Sequence, residues 1–133
     1  MALDVGDVRI GVALSDETGT LASGLLTLKS VGPRQDAQAL AALAREHDVG
    51  EVVVGLPLRL DGSLGSQAEK VLAFVERLRR VARLPVVARD ERLTSIEADE
   101  RLAEAGVRRR DRKARIDQAA AALILQEHLD ERK

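Results

Sequence analysis

The chain opens MALDVGDVRIGVALSD, residues 1–16, and the reading of this stretch decides the fold. Residues 2–5 and 8–15 read as two strands, with the Gly6-Asp7 pair between them at hairpin distance. Asp4 arrives inside the first, apolar strand, where a carboxylate is costly unless something binds it. Gly11, inside the second strand, signals a bulge or a close approach by another backbone.

Working outward, residues 15–20 form a turn and 21–30 a third strand, weakened by Gly24. Pro33 suits the first turn of a helix whose apolar stripe is Ala37, Leu40, Ala41 and Ala44, and Gly50 is expected to stop it. EVVVGLPL, 51–58, is a continuous apolar run, as in a strand covered on both faces. Leu64, Ala68, Val71, Leu72, Val75 and Leu78 then recur at helical spacing. LPVVAR, 84–89, is a further strand. Thr94 with Glu97 forms a capping box for a helix closed by Gly106, and 114–131 is a last, alanine-rich helix.

The order β-β-β-α-β-α-β-α-α predicts a three-stranded meander leading into a β-α-β-α arrangement, hence a mixed α/β sheet with helices on both faces. At 133 residues, one domain spanning 1–133 is expected.

Composition narrows the chemistry. There is no cysteine and only His47 and His128, which excludes thiol catalysis, cysteine-based metal sites and a histidine-rich zinc site. No run approaches the roughly 20 apolar residues of a spanning helix, and no signal-peptide pattern leads the fold, so no membrane partner and a cytoplasmic location are expected. The net charge of −1 carries no global nucleic-acid signature, yet RLRRVAR (77–83) and RRRDRKAR (108–115) concentrate cations. With Phe74 the only aromatic residue, nucleic acid is expected to be held through phosphates, not by stacking bases on rings.

Three places carry acids at the ends of buried elements. Asp4 ends the first apolar run, and Asp90 and Glu91 follow LPVVA. If the strands before Asp4 and Asp90 are parallel neighbours, both acids face one crevice. Asp117 shares a helix face with Ala120, Ala121 and Ile124, and small alanines let that helix approach the sheet. At about 5 Å and an effective dielectric near 20, each carboxylate pair repels by roughly 3 kcal/mol. Three such pairs rival the about 5–15 kcal/mol stability of a small domain. Protonation or a bound cation must relieve this, and carboxylate-only ligands suit Mg²⁺ or Mn²⁺. Each acid also has a plainer reading: Asp4 as a turn residue, Asp90 or Glu91 as a helix cap, Asp117 paired with Lys113.

Four blocks, ALDVGDVRIGVALSD, VVVGLPLRLDGSLGSQA, DERLTSIEA and KARIDQAAAALILQ, occur in this order and together closely resemble the YqgF family, also called RuvX. These are bacterial pre-rRNA nucleases and Holliday-junction resolvase-like proteins. The resemblance implies an RNase H-like fold with a mixed five-stranded sheet, and metal-dependent phosphodiester hydrolysis with two Mg²⁺ or Mn²⁺ ions. It implies Asp4, Glu91 and Asp117 as catalytic metal ligands, with Asp90 as a fourth ligand or a supporting group. It implies a nucleic-acid partner, an rRNA precursor or branched DNA, engaged by a monomer or a homodimer. Two positions depart from the family pattern: Val8 precedes Arg9, and Arg59 stands where the family has Asn.

Around these acids, Arg9 is read as a phosphate contact or a surface ion pair, and Arg59 and Ser63 as part of a loop that either binds phosphate or is an ordinary turn with Ser63 as a helix cap. The backbone amides near Gly62 and Ser63 are expected at a helix start. Arg92 orients the neighbouring acid or grips the backbone. Arg108, Arg109, Arg110, Arg112 and Lys113 form a flexible arm tracking phosphates, which would make binding salt-dependent. Two rivals share the features. Actin-like and sugar-kinase-like ATPases also begin with an Asp-x-Gly hairpin but carry two such domains. A non-catalytic nucleic-acid-binding ribosome-assembly factor would keep the acids as structural residues.

Overall fold

The computed structural model of the chain describes residues 1–91 and 94–131, with side chains at all of these except 94–97 and 109–114. Its elements run β1 (Ala2–Val5), β2 (Arg9–Ser15), β3 (Ala22–Lys29), α1 (Pro33–Glu46), β4 (Val52–Leu56), α2 (Ser66–Ala82), β5 (Val86–Asp90), α3 (Thr94–Glu104) and α4 (Arg109–Glu131). The strands form one sheet in the order β3-β2-β1-β4-β5. β1, β2 and β3 pair antiparallel as the predicted meander, and β4 joins β1 and β5 in parallel. β1 and β5 are therefore parallel, but they are not the neighbours that the crevice reading supposed, because β4 lies between them.

Alternation along the strands divides the core in two. Leu3, Ile10, Val12, Val52, Val54 and Val86 pack with Leu40 and Ala44 of α1 and with Val71, Phe74 and Leu78 of α2. On the other face Ala2, Ala13 and Val53 meet Ala121, Ile124 and Leu125 of α4. Each fully buried side chain of this size contributes about 1.5–3 kcal/mol. Ala98 of α3 packs with Ala120 and Leu123, so α3 lies against α4.

The seat of α4 is cleared by glycine. A Cβ on Gly11 would lie 1.9 Å from the Asp117 carbonyl oxygen, and one on Gly24 would lie 2.9 Å from the Gln118 Cβ. Gly11 thus marks a close backbone approach, while the irregularity in β2 falls between Val12 and Ala13. The C-terminal half of α4 is strapped down by polar contacts: Gln126 accepts from the Ala22 N–H at 3.0 Å, and the His128 ring pairs with Glu51 at 2.8 Å.

Three helix ends differ from expectation. α1 stops before Gly50, with Asp48 at φ +52° and the Val49 N–H bonded to the Ala44 carbonyl. The chain reverses there through an Asp, which tolerates that conformation better than most residues. α2 starts at Ser66, so Leu64 lies outside it and is exposed. α4 begins at Arg109, so the basic segment expected as a flexible arm has helical backbone; Arg and Lys are good helix formers. Gly106, at φ +82°, closes α3 as predicted.

Candidate active site

Asp4 faces α4. It is paired with Gly11 across the β1–β2 hairpin, and one step beyond the Leu3–Val54 pair sets it beside Gly55 on β4. Both flanking positions lack a side chain, and an acidic residue comes close at each, although the space at Gly55 is filled first by Ile124, whose Cδ1 would lie 2.6 Å from a Cβ there. At Gly11 the backbone of Asp117 comes against the sheet; at Gly55 a Cβ would lie 3.5 Å from that of Glu91. The sequence brings the three acids to one strand end by placing glycines on either side of the first.

The electrostatics follow from that packing. Burial, and secondly the Asp117 carboxylate, push the Asp4 carboxyl up to about 6 from its ordinary 3.8. Asp117 accepts from Arg9 Nε at 2.8 Å; its side chain is 19% exposed and that of Arg9 56%. The partner of Asp117 is thus Arg9 of β2, and Lys113 lies outside the described side chains. Glu91, 7% exposed, accepts from Arg89 Nε at 2.7 Å. Arg89 in turn donates from Nη1 to Glu131 at 2.6 Å and lies 3.7 Å from Glu127. The Glu131 hydrogen bond leads in holding the Arg89 guanidinium even more firmly protonated. Among the described residues, no group of three acidic or histidine side chains encloses a ready-made metal site. The donor chemistry is nonetheless that of a hard cation: oxygen atoms only, with two mutually repelling carboxylates at Asp4 and Asp117.

Other predicted residues fall elsewhere. Asp90 pairs in register with Leu56, which belongs to the core beneath α1 and α2, so alternation turns Asp90 away from the Asp4 face. Ser63 is not at a helix start: its N–H and hydroxyl donate to Asp61 Oδ1 at 2.9 and 2.6 Å. The Gly62 N–H donates to the Arg59 carbonyl at 2.8 Å, so both amides are engaged in a turn instead of open to phosphate. The Arg59 side chain folds over Gly65, the N-cap of α2. Arg108 is exposed just before α4. Arg92, the Thr94–Glu97 box, and the side chains of Arg109, Arg110, Arg112 and Lys113 lie outside the described residues.

Arg89 went unremarked in the sequence. The available signal was its position two residues before Glu91, which puts both on one strand face, together with Glu127 and Glu131 one turn apart on α4.

Comparison with known proteins places this geometry. A chain titled "T. thermophilus RuvC in complex with Holliday junction substrate" superposes with a TM-score of 0.53 at 18% identity, covering 98% of this chain and 92% of that one. The fold is accordingly RuvC-like, an RNase H-like fold, as expected. A protein of Thermoanaerobacter pseudethanolicus named "Putative pre-16S rRNA nuclease" is 46% identical over 134 residues, covering 100% of this chain and 96% of its own. One of Syntrophus aciditrophicus with the same name is 47% identical over 130 residues, covering 98% and 87%. The RuvX family, described as Holliday junction resolvase, matches residues 1–131, and the chain belongs to that family.

Proposed function

We propose that the chain is a divalent-metal-dependent endonuclease that hydrolyses phosphodiester bonds of structured nucleic acid at Asp4, Glu91 and Asp117. The observation that carries the reading is the Asp4 carboxylate, half-buried between two glycines and destabilised by burial and by Asp117. A folded protein keeps such a group where a ligand relieves it, and perturbed acids of this kind cluster at functional sites.

Asp4 and Asp117 would hold Mg²⁺ or Mn²⁺, with Glu91 completing the ligand set. When bound, two such ions supply an activated water and stabilise the departing oxygen of an in-line displacement. Asp4, between the other two acids, would be the central ligand and would hold the cation as the deprotonated carboxylate. Arg9, more than half exposed, neutralises Asp117 at rest and turns to a phosphate oxygen when nucleic acid occupies the site. Arg89 fixes the Glu91 carboxylate against β5 and ties it to α4.

The names of the relatives nearly half identical to this chain favour an rRNA precursor as the substrate, in the bacterial cytoplasm; branched DNA is the second substrate to test. A non-catalytic binding role draws on a specific observation, that Asp117 and Glu91 each already have a cationic partner. The deciding assay compares a four-way junction, single-stranded DNA and an rRNA-precursor mimic with Mn²⁺, wild type against Asp117→Asn. Cleavage of one substrate by wild type and loss of at least a hundredfold in the variant is expected. Equal cleavage by a well-purified variant would sink the assignment.

A further inference from the structure

A groove of about 860 Å³ lies on the sheet face opposite α4, between the start of α1 and one side of α2. Val5, Pro33 and Ala73 give it apolar surface above the almost fully buried Val71 and Phe74, and Lys70, Arg77 and Arg80 line the same groove. Phe74 is the chain's single aromatic residue. Val5 directly follows Asp4, and alternation sends the two side chains to opposite faces. The groove and the acids are therefore two sides of one strand end, separated by the turn that begins at Gly6.

The cations of this groove are poorly neutralised. Lys70 Nζ lies 3.9 Å from Asp7 Oδ1 with both side chains about two-thirds exposed or more, a contact of little strength. Among the described residues, Arg80 donates only to the Glu76 backbone carbonyl, at 3.4 Å, and Arg77 has no partner. Three acids share the groove: Asp7 beside Lys70, Glu76 paired with Arg79, and the buried Asp36, which accepts from the Ser30 hydroxyl and the Val31 N–H; Arg77 and Arg80 are paired with none of them.

We propose that this groove binds a nucleotide of single-stranded nucleic acid flanking the bond to be cut, with its base on the apolar surface beside Phe74 and its phosphates on Arg77, Arg80 and Lys70. An apolar floor under a cationic wall matches what a single strand presents, a base face and a charged backbone. A second copy of the chain is disfavoured, since it would set two arginine-rich α2 helices against each other. The placement of the groove relative to cleavage rests on the nuclease reading; the binding itself does not.

The test is anisotropy of a labelled single-stranded oligoribonucleotide in EDTA, with wild type, Arg77→Gln/Arg80→Gln and Ala73→Glu. Ala73 is an exposed groove residue, so its replacement adds an acid without removing a cation. The double variant is expected to bind at least tenfold more weakly, and its log affinity–log salt slope to fall by about 1.4, two single-strand phosphate contacts' worth. Ala73→Glu weakens binding as well, and thermal melting of both variants matches wild type. Unchanged affinity and slope in the double variant overturn the proposal, even where cleavage with Mn²⁺ proceeds normally. Lost binding in a protein that cleaves nothing supports the groove while removing the nuclease reading. A sedimentation shift from dimer to monomer in the variants, with oligonucleotide binding intact, assigns the groove to a second copy and also overturns it.

Discussion

A side chain on Gly11 would collide with the backbone of Asp117, its Cβ reaching to 1.9 Å from the carbonyl oxygen. One atom of space in β2 thus decides whether α4 can lie against the sheet and whether its carboxylate can approach Asp4. Gly11→Ala is expected to cost about 1–3 kcal/mol by overpacking, with larger losses where the helix cannot shift. Gly50→Ala, at a position with nothing within 4 Å, should stay within about 0.5 kcal/mol. Urea unfolding of the two variants measures the difference, and equal midpoints would show that α4 is seated by something other than this contact.

The acid raised by burial makes the stability of the metal-free chain depend on pH. The folded Asp4 carboxyl titrates at about 6, against an ordinary 3.8. Between these values the folded chain holds a proton that the unfolded chain has lost, so stability is highest below the lower value and falls as pH rises through the upper one. The full effect is about 3 kcal/mol. Asp4→Asn removes it, so the variant should be the more stable protein at about pH 8 and show a flatter pH profile for unfolding. A variant less stable than wild type at that pH would mean that the ionised carboxylate is already satisfied inside the fold.

How much of this was legible beforehand depended on residue type. Asp4, Gly11 and Asp117 declared themselves, because an acid in an apolar strand, a glycine in a strand and an acid on an alanine face each break a local rule. The meander and the helices on both faces followed from periodicity. Asp90 and Glu91 were not separable, because their faces depend on where β5 pairs with β4, and one residue of register exchanges them. Ser63 misled because a Gly-Ser turn and a helix cap use the same residue types, and here Asp61 takes the hydroxyl. Arg89 was invisible because its other partners, Glu127 and Glu131, lie on an element far along the chain.

The Arg89 clamp predicts an asymmetry between its ends. Arg89→Met removes a cation from the almost fully buried Glu91 carboxylate and should destabilise by about 2–3 kcal/mol. Glu131→Gln, at an exposed end, should leave stability nearly unchanged. Thermal melts of the two variants read this directly; equal losses would make the helix end, instead of Glu91, the point of the contact.

If Asp117 is a metal ligand, as proposed, Arg9 would compete with the cation for it. Arg9→Gln should tighten Mn²⁺ binding by about tenfold, a value reduced from the bare Coulomb figure because Arg9 is more than half exposed. The same variant should bind nucleic acid more weakly. Weaker Mn²⁺ binding in Arg9→Gln would instead make the arginine a support that orients Asp117 for the metal.

The central claim is that Asp4 sits between its two glycines as the main ligand of a divalent cation, and calorimetric titration with Mn²⁺ tests it most directly. Wild type at a pH above about 6, where Asp4 is ionised, should bind Mn²⁺ with proton release that grows as the pH is lowered towards that value, and Asp4→Asn should lose the binding. Equal Mn²⁺ binding by wild type and Asp4→Asn, or none by a folded wild type, would contradict it.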